Sequence, residues 1–128
     1  MKRLLGVVLA VAVLLFAFSA FAVAAEKVAA KSQTITGEVV DLGCYMGGGA
    51  KGAAHTECGM RCVANGMPMG LLTDKGMLYV LTMSHGNADP FNATKGWVGQ
   101  MAKVTGPVSV KSGIKAIEIT AAEAAAAK

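Results

Sequence analysis

The sequence predicts a mainly β fold: a small OB-like barrel of five to six short strands, with one short helix in its first connection. Three observations carry this. Short alternating or uniformly apolar segments recur from residue 33 onward, separated by corners such as Asp74-Lys75-Gly76, Gly106-Pro107 and Ser112-Gly113. A stretch with helical rather than strand spacing, residues 53–65, lies between the first two of them. The chain beyond its N-terminal leader is only about one hundred residues, enough for one core. Closing so many short strands into a barrel removes the exposed edges an open sheet would keep.

The first residues are Met1-Lys2-Arg3, followed by an apolar run over 4–18 and then Ser19-Ala20-Phe21-Ala22-Val23-Ala24-Ala25. A charged start, a short apolar run and Ala-x-Ala sites predict a secretory signal peptide over 1–25, cleaved after Ala22, Ala24 or Ala25. The run is shorter than the roughly 20 residues a membrane span needs. No cysteine follows it, which argues against a lipid anchor there. The expected location is periplasmic or secreted, with no membrane association after cleavage. Residues 26–33, rich in alanine and lysine, are a linker.

The barrel domain is expected over 34–120. A first strand is predicted at 33–41, where Thr34, Thr36 and Glu38 alternate with Ile35 and Val39 and Gly37 marks a bend. The helix predicted over 53–65 stops at Gly66, and Met67-Pro68-Met69 cannot continue it. Residues 70–73 and 77–83 form a hairpin around Asp74-Lys75-Gly76. Residues 84–96 are polar and contain Gly86, Asn87, Asp89 and Pro90, so a loop with one helical turn after Asp89 is expected. Residues 98–105 read as a strand, Gly106-Pro107 as a corner, 108–111 as another strand and 114–120 as the last. The alanine-rich tail 121–128 lacks an apolar face and is expected to fray.

The 128-residue chain carries a net charge of +4, but the leader holds Lys2 and Arg3. Without them ten basic side chains face eight acidic ones, a balance near +2 that does not suggest nucleic acid. Trp97, Tyr45 and Tyr79 are too few and too separated for a base-stacking platform.

All three cysteines lie between residues 44 and 62, together with one of the two histidines. On a helix, His55, Cys58 and Cys62 stand at i, i+3 and i+7 and project from one face. Gly47-Gly48-Gly49 and Gly52 allow the chain to bring Cys44 back onto that face. Cys44, His55, Cys58 and Cys62 are therefore the candidate metal ligands. Three thiolates and an imidazole suit tetrahedral Zn²⁺, and also the soft ion Cu(I). The flanking thioethers of Met46, Met60, Met67 and Met69 shift the balance toward Cu(I), although methionine is also a common core filler.

Two other readings share these residues. An exported chain tends to oxidise its thiols in pairs, so Cys44 bonded to Cys58 or to Cys62 would pin the long connection of a binding or interaction module and leave one thiol over. Cys58 bonded to Cys62 within a helix is disfavoured by torsion. Thiol redox chemistry is the third, with His55 and Arg61 near the thiols but no Cys-x-x-Cys. A full Cys3His set leaves no open position for hydrolysis, so an enzyme is not expected.

The segment Thr36-Gly37-Glu38-Val39-Val40-Asp41, then Cys44-Tyr45, His55-x-x-Cys58-x-x-x-Cys62, Gly66-x-Pro68-x-Gly70-Leu71-Leu72 and the closing Val104-Thr105-Gly106 and Gly113-Ile114-Lys115-Ala116-Ile117-Glu118-Ile119 resembles a group of small exported bacterial proteins. The resemblance spans residues 34–120. It implies an OB-like barrel carrying this cysteine and histidine motif, and supplies no activity.

Remaining features are bland. Gly47 to Gly52 lacks the Gly-Lys-Ser/Thr of a phosphate loop. A cysteine nucleophile served by His85 and Asn87 has no local signature. His85 reads as a solvated loop residue.

Overall fold

The structure is a computed structural model that describes residues 30–126. The signal peptide expected over 1–25 and the first half of the expected linker, 26–29, lie outside the described residues, while Ser32 and Gln33, expected in that linker, belong to the first strand. Six strands and three α-helices follow in the order β1 (Ser32–Asp41), α1 (Leu42–Gly48), α2 (Thr56–Ala64), β2 (Met69–Leu72), β3 (Leu78–Met83), α3 (Asp89–Thr94), β4 (Met101–Lys111), β5 (Ile114–Ile119) and β6 (Ala121–Ala124). Single 3₁₀ turns precede α2 (Ala53–His55) and follow α3 (Lys95–Trp97).

Hydrogen bonding runs β1-β2-β3-β5-β4 and returns from β4 to β1, closing a five-stranded barrel. All pairings are antiparallel except β3 with β5. This is the mainly β, OB-like barrel the strand pattern predicts. Inward-facing Val39, Leu71, Tyr79, Leu81, Val104, Ile117 and Ile119 are buried and fill it, joined by Val63 from α2 and by Val98. Alternation along β1 and β4 places these residues inside and their polar neighbours outside.

Closure depends on two glycines. β1 pairs with β4 as far as Glu38 and with β2 from Glu38 onward, so the strand must coil sharply where it changes partner. A Cβ at Gly37 would stand 2.6 Å from the carbonyl oxygen of Leu72. Gly106 sits where the far edge of β4 changes partner from β6 to β5, and a Cβ there would collide with the carbonyl oxygen of Glu118.

Four expectations are corrected. The first connection holds two α-helices, not one, because Asp41 caps α1 at its start and Gly49, with φ 71°, ends it in the left-handed conformation. The helix expected over 53–65 is a 3₁₀ turn followed by α2. Gly106-Pro107 is no corner: β4 runs through it, since Gly106 permits the close approach and Pro107 lies opposite Ser32, the first residue of β1, where a missing amide costs little. Residues 121–124 do not fray but form β6 against Ala102–Thr105. β5 leaves that stretch of β4 unpaired, and its free backbone groups outweigh the weak side chains of an alanine run.

Replacing Gly106 with alanine is predicted to lower unfolding free energy by about 3 kcal/mol, because neither strand backbone can retreat without breaking the closure. Urea denaturation of the variant against the wild type measures this. An unchanged midpoint would contradict the close-approach argument.

Candidate metal centre

The site is built where β1 ends. Asp41, the last residue of β1, is fully buried and is also the N-cap of α1. Its Oδ1 accepts the backbone N–H of Cys44 at 2.8 Å, the capping bond that turns the chain from strand into helix. The helix would be poor on propensity alone, with Gly43, Gly47 and Gly48 among seven residues. Its caps at both ends define it, and Cys44 rides on its first turn.

The chain then returns. The amide of Gly52, whose φ is 77°, donates to the Glu38 carboxylate, and the amide of His55 donates to the carbonyl of Gly52 at 2.9 Å. These bonds start the 3₁₀ turn and set α2 down across the end of the barrel. Gly59 makes the approach possible. A Cβ there would stand 2.5 Å from Val98 Cγ1 and 3.2 Å from Asp41 Oδ2. Gly99, with φ 78°, receives the start of α2, for a Cβ on it would collide with Thr56 Oγ1. Gly66 (φ 96°) follows the helix, where the amides of Asn65, Gly66 and Met67 satisfy its last carbonyls.

This return juxtaposes the candidate ligand side chains in two overlapping sets. The Sγ atoms of Cys44, Cys58 and Cys62 lie within 4.8 Å of one another. The donor atoms of Asp41, Cys44 and His55 do likewise. Cys44 belongs to both sets. All three cysteines are free thiols; Cys44 and Cys62 are half-buried, and Cys58 is exposed.

His55 differs from its expected placement. It lies in the 3₁₀ turn rather than on the α-helix with Cys58 and Cys62, and its Nε2 is 2.7 Å from Asp41 Oδ2. An ionised carboxylate only accepts, so Nε2 carries the hydrogen and donates it to Asp41. In the neutral ring Nδ1 then holds the lone pair, the arrangement in which a carboxylate orients a metal-binding imidazole.

Asp41 is the member of the donor cluster that sequence reasoning missed. An Asp three positions before Cys44 is an N-cap signal, but the following glycines masked the helix it begins. Burial alone would raise its pKa above 3.8. The backbone amide of Cys44, the imidazole of His55 and the Cys44 thiol outweigh that and hold it lower. The Cys44 thiol is pushed up to about 12, first by loss of solvent and then by the Asp41 carboxylate and the Cys62 thiol beside it. Without a cation nearby this sulfur is a poor nucleophile at neutral pH. A metal ion held there would reverse the balance by stabilising the thiolate directly.

The methionines divide. Met69 is buried in the core, its sulfur 3.8 Å from the Thr94 hydroxyl, whose hydrogen goes to the Phe91 carbonyl at 2.7 Å, so its role is packing. Met67 lays its thioether over Gly43, with Sδ 2.6 Å from where a Cβ would stand. Met46 projects into solvent at 71% exposure. His85 is exposed in the loop before α3 and belongs to neither donor set, while Asn87 caps that loop by accepting the amide of Asp89 at 2.9 Å. Among the described residues no helix is long and apolar enough to cross a membrane.

Compared with known proteins, the chain matches no family model, no curated sequence and no solved structure. The donor geometry therefore carries the functional argument.

The depressed pKa of Asp41 makes its contribution to stability complete above pH 3.8 and lost as the pH falls through the lower folded-state value. Asp41→Ala is predicted to cost about 2–4 kcal/mol at pH 7, through the lost cap and the unpaired imidazole. Its stability should also fall less steeply than that of the wild type between pH 5 and 2. Urea unfolding across that range reads both effects, and parallel acid limbs would contradict the assignment.

Proposed function

We propose that the chain is an exported metal-binding protein whose Cys44, Cys58 and Cys62 thiolates hold Zn²⁺ or Cu(I), with Nδ1 of His55 as the fourth donor and Asp41 orienting that ring. The observation that carries this is the mutual approach of three sulfurs within 4.8 Å. Sulfurs bound tetrahedrally at about 2.3 Å from zinc sit about 3.8 Å apart, so a rotamer adjustment of roughly an ångström closes the triangle. Thiolates are soft donors, which suits these two ions over hard cations. Export is part of the proposal and rests on the Met1-Lys2-Arg3 start and the apolar run after it, together with the resemblance to small exported bacterial proteins.

The bound ion would offset part of the negative charge that three thiolates and Asp41 place together. Every other task falls to the chain: α1 presents Cys44, α2 presents Cys58 and Cys62, and Asp41 holds the helix starts in register.

Protein purified without oxygen is expected to carry one Zn²⁺ or Cu(I) per chain, with its thiols slow to react until a chelator removes the ion. Asp41→Asn should weaken metal affinity by about 10- to 100-fold, as loss of a carboxylate behind a ligating histidine does elsewhere. Metal-free protein showing a single reactive thiol before and after chelation would support the disulfide-stabilised interaction module instead. Reversible cycling of a cysteine pair with a dithiol and no bound ion would support a redox protein.

A further inference from the structure

Three cysteines admit three pairings, and the fold does not treat them alike. Cys58 and Cys62 are one helical turn apart on α2, where side chains run side by side and the torsions of a disulfide are strained. Cys44 approaches from a different helix, so either remaining pair could close across the gap. Exposure separates these two: Cys62 is half-buried like Cys44, whereas Cys58 is exposed.

We infer that the cluster is a redox-modification site in which Cys44 and Cys62 form the intramolecular disulfide and Cys58 remains as a solvent-facing thiol open to mixed disulfides. The oxidant is a low-molecular-weight disulfide, RSSR. The Cys62 sulfur attacks it, forms Cys62–S–S–R and expels the first RS⁻. The RS⁻ so released takes the proton of the Cys44 thiol, a slow step because that proton is hard to remove, and the Cys44 sulfur, already within 4.8 Å of Cys62, attacks it and expels the second RS⁻. The two protein thiol protons end on two RSH, so the protein sulfurs lose two electrons and RSSR gains them. Two of the three sulfurs are then no longer metal donors, and a bound ion is released. That release rests on the metal-binding reading; the disulfide does not.

The arrangement also accounts for the odd cysteine. A pair that can close without unfolding α2 lies next to a third sulfur that faces solvent, so oxidation leaves one reactive point at a defined place.

Trypsin cuts after Lys31, Lys51, Arg61 and Lys75, so each cysteine falls on a separate peptide. Chelator-treated full chain is exposed to oxidised glutathione, alkylated and mapped by mass spectrometry without reduction. The expected outcome is a Cys44–Cys62 cross-linked peptide with alkyl or glutathione on Cys58, so that alkylatable thiols fall from three to one, or to none where glutathione occupies Cys58. Cys58→Ser should form the same cross-link and retain no free thiol, while Cys62→Ser should carry glutathione at Cys58. A dominant Cys44–Cys58 or Cys58–Cys62 link, or no intramolecular link, overturns the proposal. Correct mapping in a protein that binds no metal when reduced would leave this inference standing and remove the metal-binding reading instead.

Discussion

The buried carboxylate of Asp41 is the constraint on which the rest of the site depends. One oxygen accepts the amide of Cys44 and the other accepts the imidazole of His55. A single side chain thus ties the end of β1, the start of α1 and the turn that starts α2. Burying an ionised group is tolerated only when its acceptor positions are filled, and here both oxygens have donors. The requirement runs in both directions: the helices supply the donors, and the charge fixes where the helices begin.

The barrel provides the rigid platform for this. α2 covers the end of the barrel and contributes Val63 to the core, so the positions of Cys58 and Cys62 are set by packing rather than by a free loop. Gly59 and Gly99 are small for that reason, since a methyl group at either would lift the helix from its seat. Donors held this way need little reordering when an ion enters, which keeps the entropic cost of binding low. The exposed sulfur of Cys58 marks the side on which the cluster meets solvent. Exposure at one sulfur and half-burial at the other two suit the proposed metal binding and the proposed thiol exchange alike.

Much of this was legible in the sequence. The strand segments and the hairpin around Asp74-Lys75-Gly76 follow from period-two alternation and turn chemistry, and Gly66 is the stop its position suggests. Local pattern failed where tertiary contacts decide. Gly106-Pro107 looks like a corner until the carbonyl of Glu118 is seen to need the space that Gly106 leaves. Ala121–Ala124 has no apolar face, yet it pairs because a stretch of β4 offers unpaired amides. α1 is hidden by its own glycines, and with it the role of Asp41. The spacing His55-x-x-Cys58-x-x-x-Cys62 indicates one helix face but not the change from 3₁₀ to α geometry that turns His55 toward the carboxylate.

X-ray absorption at the metal edge of anaerobically loaded protein tests the central claim most directly. Three sulfur scatterers at about 2.3 Å with one nitrogen is the result expected for zinc, and a sulfur-dominated shell of similar length for Cu(I). A first shell of oxygen and nitrogen alone would show that the three thiols do not meet at the ion, and would contradict the account.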